Sequence, residues 1–296
     1  MPAALSKKFT LNDLRNARRD GTKVPMLTCY DYTSARLMQE AGVPALLVGD
    51  SAANVVLGHP TTLPVPLRLM VELTAAVRRG APLSFLVGDM PFGSYGGSVD
   101  RGVRNVARML QLSGCDCVKL EVSDGHLPLV EALADVGVAV MAHLGLRPQT
   151  VGLLGGGYRA QGRTAESAQA IVDLAVRMQH AGAAAILLEA VPAEVGEAVV
   201  NQCDLPVIGC GAGHAVHGHV VVTHDALGLT PGVPPKFVPV LADLATPTRD
   251  AYAEYVRQVR SGMYPATQHE YPMEPEQKAR FLRTPPAVQH QHGGSD

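Results

Sequence analysis

Eight short apolar runs, separated mostly by stretches of helical periodicity, constrain this chain more than any other feature. The runs cover residues 25–30, 45–48, 83–87, 117–121, 138–142, 185–188, 206–208 and 220–222. Helices are predicted between them over 34–41, 66–79, 99–113, 126–136, 164–181 and 193–203. One more helix precedes the first run. It opens at Thr10-Leu-Asn-Asp13, a capping box with Asp in the Glu position, and extends to about residue 18. Pro66 suits a first helical turn, and Gly42, Gly80 and Gly182 suit helix ends. Alternating β and α units with short connections imply a parallel sheet. Eight such units in 296 residues imply one (β/α)8 TIM barrel. A doubly wound open sheet ranks second.

The polar residues fall at one end of the runs. Asp31, Asp50, Asp89, Glu121, His143, Glu189 and Asp225 all stand at or just after a C-terminal end. In a barrel those ends form a single rim, where active sites sit. An open sheet would gather fewer of them. In Cys117-Val-Lys-Leu-Glu121, side-chain alternation puts Lys119 and Glu121 on one face and Val118 and Leu120 on the other. Charges enter a buried strand when they pair, bind a metal or do chemistry. A structural Lys–Glu pair is the plain alternative for this stretch alone. Leu47-Val-Gly-Asp50 echoes Leu86-Val-Gly-Asp89, as two successive βα units that each deliver a carboxylate.

A net charge of −2 gives no pull toward nucleic acid or an anionic membrane. The apolar runs are too short to span a bilayer, and the start of the chain, with Lys7 and Lys8, has no signal-peptide core. The expected location is the cytoplasm. Five scattered cysteines argue against a disulfide framework and fit small buried hydrophobes.

Asp50, Asp89 and Glu121 are three hard oxygen ligands on neighbouring strand ends, a set that suits Mg2+ better than zinc. A metal held by a few carboxylates can chelate a 2-oxo acid and stabilise the enolate formed when the adjacent carbon loses a proton. Glu189, ending the apolar Ala185–Leu188 run, is the candidate base, because desolvation raises its pKa. Lys119 suits either the substrate carboxylate or the enolate oxygen, and His143 a hydrogen bond. For any one of these acids a cap or a salt bridge is the commoner role; their joint placement points to a site. The loop 155–163 reads equally as a lid or as a solvated connection. Gly209-x-Gly211-x-Gly213 has the wrong spacing for a dinucleotide fingerprint. His214, His217, His219 and His224 fit no common zinc pattern.

Several stretches resemble the ketopantoate hydroxymethyltransferase family, also called 3-methyl-2-oxobutanoate hydroxymethyltransferase. They include Thr28-Cys-Tyr-Asp-Tyr-Thr-Ser-Ala-Arg36, Val48-Gly-Asp-Ser51, Gly58-His-Pro-Thr-Thr-Leu-Pro-Val65, Asp89-Met-Pro-Phe-Gly-Ser-Tyr95, Val118-Lys-Leu-Glu121, His143-Leu-Gly-Leu-Arg-Pro-Gln149 and Pro206-Val-Ile-Gly-Cys-Gly-Ala-Gly213. The likeness runs from about residue 8 to residue 272. It implies a (β/α)8 barrel that moves a one-carbon unit from the cosubstrate 5,10-methylenetetrahydrofolate onto 3-methyl-2-oxobutanoate, giving 2-dehydropantoate for pantothenate biosynthesis. It also implies a Mg2+ site at Asp50, Asp89 and Glu121. The oxo acid is then held at Asp50, Ser51, Asp89, Lys119 and His143, and Glu189 is the proton acceptor. A homodecamer with an exchanged terminal helix is implied as well.

The chain departs from the family pattern at Gly49-Asp-Ser-Ala-Ala53, Arg159, His214 and His217-Gly-His219, which bears on the folate side and the preferred oxo acid. A metal-dependent lyase or aldolase acting on another 2-oxo acid is the alternative function, and a silent paralogue that serves assembly or regulation is a third. Residues 1–282 are expected to form one barrel domain with terminal helices, the last predicted over 250–260. Residues 283–296 read as a disordered tail.

Overall fold

The computed structural model describes residues 5–153, 155 and 157–283. The chain divides into two compact units, Met1–Asp243 and Leu244–Asp296. In the first unit the order is α1 (Leu11–Asp20), β1 (Val24–Thr28), α2 (Tyr32–Glu40), β2 (Ala45–Val48), α3 (Ala52–Val55), α4 (Leu67–Gly80), β3 (Phe85–Asp89), α5 (Val99–Ser113) and β4 (Cys117–Glu121). It continues with α6 (Leu127–Asp135), β5 (Val140–Gly145), α7 (Ala165–His180), β6 (Ala185–Glu189), α8 (Ala193–Gln202), β7 (Val207–Cys210), β8 (Gly218–Val221) and α9 (Thr223–Ala226). The eight strands close in sequence order, all parallel, with β8 returning to β1. The expected (β/α)8 barrel is the observed fold.

Strand alternation sorts the side chains into two cores. Outward residues such as Leu46, Val48, Leu86, Val118, Leu120, Ile186 and Leu188 pack against the helices. Inward residues Met26, Leu47, Phe85, Val87, Cys117, Met141, Leu187 and Ile208 fill the barrel, and Leu14 and Ala17 of α1 join that cluster. The capping box at Thr10 and Asp13 starts α1, with the Asp13 carboxylate accepting from the Thr10 N–H at 2.8 Å. Above this plug the inward positions change character. Cys117 is followed by Lys119 and Glu121, Met141 by His143, Leu187 by Glu189, and Val87 by Asp89. The parallel register sets Asp89 beside Lys119, and Glu121 beside His143. Polar groups therefore meet at the C-terminal rim.

Three local expectations change. Helix α2 begins at Tyr32, because Asp31 is its N-cap and accepts from the Ser34 N–H at 2.8 Å. The last strand is Gly218–Val221 instead of 220–222; His219 points outward and is exposed, so the apolar pattern misses it. The last predicted helix, expected over 250–260, is α10 (Ala245–Arg260) in the second unit, and the added helix α11 (Pro275–Arg283) follows it. Of the expected disordered tail, Arg283 ends α11 and the remainder lies outside the described residues.

Candidate active site

One cavity of about 580 Å3 opens at the rim, and its wall includes Asp50, Ser51, Asp89, Lys119, Glu121, His143, Glu189 and Asp225. Of the seven polar strand-end residues, Asp31 alone is absent from this wall, since its carboxylate caps α2. Tyr158, Arg159 and Ala160 also reach the wall, so part of the glycine-rich loop borders the cavity.

Lys119 is the hub. Its Nζ lies 2.9 Å from Asp89 Oδ2 and 3.2 Å from His143 Nδ1, and all three side chains are buried. Burial alone would depress the ammonium pKa; Asp89, then Asp50 and Glu121, more than offset it and hold the pKa above the usual lysine range. An ammonium only donates, so His143 Nδ1 accepts and the ring proton sits on Nε2. That nitrogen stands 3.3 Å from Glu189 Oε2, off the line of a hydrogen bond. Burial, aided by the Lys119 charge, drives the His143 pKa well below its usual value, so the ring is neutral.

The carboxylates outnumber the cations. Burial pushes Glu121 up to about 9 against the pull of Lys119, and burial likewise raises Asp89. Burial lifts Glu189 to about 7, with Lys119 again opposing. Asp89 Oδ1 and Glu121 Oε1 are buried without a hydrogen-bond partner. Two orphaned oxygens beside an excess of negative charge are what a hard divalent cation satisfies, and Mg2+ commonly takes one or two carboxylates and keeps several waters. Among the described residues, no three His, Cys, Asp or Glu side chains stand at ligating spacing. Gln149 accounts for part of this, because its Nε2 donates to Asp50 Oδ2 at 2.9 Å.

Gln149, to which no sequence pattern assigns a role, ties the site together. Its N–H donates to Glu121 Oε2 at 3.0 Å, its Nε2 also reaches the Met90 carbonyl, and its Oε1 accepts from the Tyr95 hydroxyl at 2.9 Å. The Tyr95 hydroxyl in turn accepts from the Glu121 N–H at 3.1 Å. Replacing Gln149 by Leu removes the donor to Asp50 but keeps the backbone N–H that holds Glu121. Mn2+ affinity, measured by calorimetry, is expected to fall by about 10- to 100-fold. Equal affinity would show that Asp50 holds its place without the amide.

The base position is fixed by backbone. Ala190, directly after Glu189, adopts the left-handed conformation at φ 46. Its N–H donates to the Cys210 carbonyl at 2.9 Å and its carbonyl accepts from the Gln161 N–H at 2.9 Å. Gly145 sits at φ 87, where a Cβ would collide with the Glu189 carbonyl oxygen. The four C-terminal histidines do not converge. His217 Nδ1 accepts from the Val207 N–H, His219 faces outward, and His224 packs on the Tyr30 ring.

Residues 8–267 match the family model described as ketopantoate hydroxymethyltransferase. A 3-methyl-2-oxobutanoate hydroxymethyltransferase of Thermobifida fusca is 44% identical over 90% of this chain and 94% of its own length. That of Heliobacterium modesticaldum is 40% identical over 94% of this chain and its full length. Among solved structures, 2,3-dimethylmalate lyase, a PEP mutase/isocitrate lyase superfamily member, is similar at a TM-score of 0.55 and 18% identity, covering 92% of this chain and 94% of its own. Phosphonopyruvate hydrolase in complex with oxalate and Mg2+ is similar at a TM-score of 0.57 and 15% identity, covering 92% of this chain and 98% of its own. At such identities these structures speak to the fold alone.

Proposed function

Because this chain belongs to the ketopantoate hydroxymethyltransferase family, we propose that it transfers a hydroxymethyl group from 5,10-methylenetetrahydrofolate to 3-methyl-2-oxobutanoate, giving 2-dehydropantoate. The observation that carries the mechanism is the shared cavity, where Glu189, with its pKa near 7, faces the Lys119–His143–Asp89 cluster.

Asp50, Asp89 and Glu121 would hold Mg2+, with Asp89 Oδ1 and Glu121 Oε1 as the free donors. When bound, the ion supplies Lewis-acid polarisation of the oxo acid. The chain does the rest. Lys119 and Ser51 hold the oxo acid by its oxygens, and Tyr30, whose hydroxyl lies 2.8 Å from Ser51 Oγ, orients the serine. Glu189 takes the proton from C3, leaving the electron pair in the enolate. The enolate carbon bonds to the methylene carbon of the cosubstrate as that carbon's two C–N bonds break; a water supplies the hydroxyl group, and tetrahydrofolate leaves with the C3 proton and the remaining water proton on its two nitrogens. Neutral His143 keeps its Nε2 proton beside the Glu189 carboxylate, 3.3 Å from Oε2, free to donate to the bound oxo acid.

The further parts of the proposal are a cytoplasmic enzyme and a homo-oligomer, a decamer on the family resemblance. The exposed Tyr252, Tyr255, Val256 and Val259 of α10 support a subunit contact. Among the described residues no helix is long and apolar enough to cross a membrane.

The test is turnover of 3-methyl-2-oxobutanoate with Mg2+, with and without methylenetetrahydrofolate, across pH. Transfer should require the folate. kcat/KM should fall about tenfold per pH unit below roughly 7, because the base works only as its carboxylate. Folate-independent cleavage would favour the lyase reading, and a flat profile from pH 5 to 8 would remove Glu189 from the rate equation.

A further inference from the structure

The cavity has two unlike halves. The half formed by β2 to β6 carries the charges already described. The other half is bounded by β7, β8 and the segment after α9. It is largely apolar, with Cys210, Val222, Val233, Pro235 and Phe237 in its wall, and its cation, Lys236, is exposed to solvent. Within that apolar half stands one carboxylate, Asp225. It is nine-tenths buried and lines the cavity. Among the described residues its side chain has no hydrogen-bond or ion-pair partner, although its backbone N–H donates to the Val222 carbonyl.

The carboxylate faces the cavity, so a ligand that excludes water there must supply donors in water's place. The oxo acid is not that group, because it is itself an anion and its cationic anchor, Lys119, belongs to the other half. A ligand suited to Asp225 is flat and apolar on its faces, with two donors side by side on one edge. The pterin of a reduced folate has this form, since N3–H and the 2-amino group can donate to both oxygens of one carboxylate. We propose that Asp225 is the anchor for the pterin ring, which rests in the apolar half formed by Val222, Pro235 and Phe237. The inference rests on the transferase reading and adds where the cosubstrate binds and what it is recognised by.

The experiment uses the full chain with Mg2+ and compares Asp225→Asn and Asp225→Ala with the parent. Three quantities are read: KM for methylenetetrahydrofolate in the transfer assay, calorimetric binding of tetrahydrofolate, and deuterium exchange at C3 of the oxo acid without folate. Removing one partner of a buried, charge-assisted pair should raise the folate KM roughly thirtyfold or more. Tetrahydrofolate binding should weaken in parallel, and the loss of transfer should exceed any loss of exchange. The near-isosteric Asn variant guards against a folding artefact. A folate KM within twofold of the parent in a folded variant overturns the inference, as does exchange lost in proportion to transfer. A parent chain that neither transfers from methylenetetrahydrofolate nor binds tetrahydrofolate overturns the transferase reading and the inference together.

Discussion

Glu189→Gln is expected to stop deuterium exchange at C3 of 3-methyl-2-oxobutanoate and to lower hydroxymethyl transfer by about three orders of magnitude. The amide has the shape of the carboxyl group and still stands beside His143, so packing and oxo-acid binding should persist. What it lacks is a basic oxygen. The parent carboxylate is primed because burial raises its pKa to about 7, close to the working pH, where a base is both ionised and strong enough to matter. Its direction is set by the strained Ala190 backbone and by the Leu146 N–H, which donates to the Glu189 carbonyl at 2.8 Å. NMR-detected exchange together with calorimetric binding of the oxo acid separates the two effects. Exchange at the parent rate would mean that another group takes the proton.

The second large effect is on stability. Lys119→Met removes the one cation from a buried set of carboxylates and leaves Asp89 Oδ2 without its ammonium partner. Breaking a buried pair from one side costs about 3–5 kcal/mol. The sign with pH follows from Asp89. Burial already raises its folded pKa, and the opposing pull of Lys119 is lost in the variant, so the folded pKa rises further. A carboxyl with a raised folded pKa weakens the fold above its unfolded value, about 3.9, and the penalty grows until the pH passes the folded pKa. Parent and variant share this penalty up to the parent's folded pKa of about 8, so the urea midpoint of the metal-free variant should sit further below the parent at about pH 9.5 than at about pH 6. An equal gap at both values would mean that the charge of Asp89 is not what Lys119 compensates. Activity should be lost as well, because His143 loses the donor that fixes its tautomer.

The barrel could be read from the sequence because its layers are written in alternation. Cys117-Val-Lys-Leu-Glu121 shows both faces of a strand, and the same shift from apolar to polar recurs at Asp89, His143 and Glu189. Where the pattern misled, a local force explains it. Asp31 ends an apolar run, but its carboxylate is committed to the amide of Ser34. The start of β8 was hidden because outward His219 is not apolar. Gln149 and Tyr95 end two of the family-like stretches but carry no periodic signal of a role, since a neutral polar side chain in a connection follows no period and only the fold reveals its partners. Asp225 was visible as a rim acid, but its solitude was not.

The two halves of the cavity have different origins in the chain. The reactive side chains project from strands locked in a closed ring, whereas Tyr158, Arg159, Val233 and Pro235 come from connections outside the strands. Evolution can therefore alter them at different rates. A new guest at the mouth needs only a rewritten connection, which loops tolerate well. A new reaction must change an inward strand position that neighbouring strands brace, so chemistry should be the slower trait to drift in descendants of such a chain.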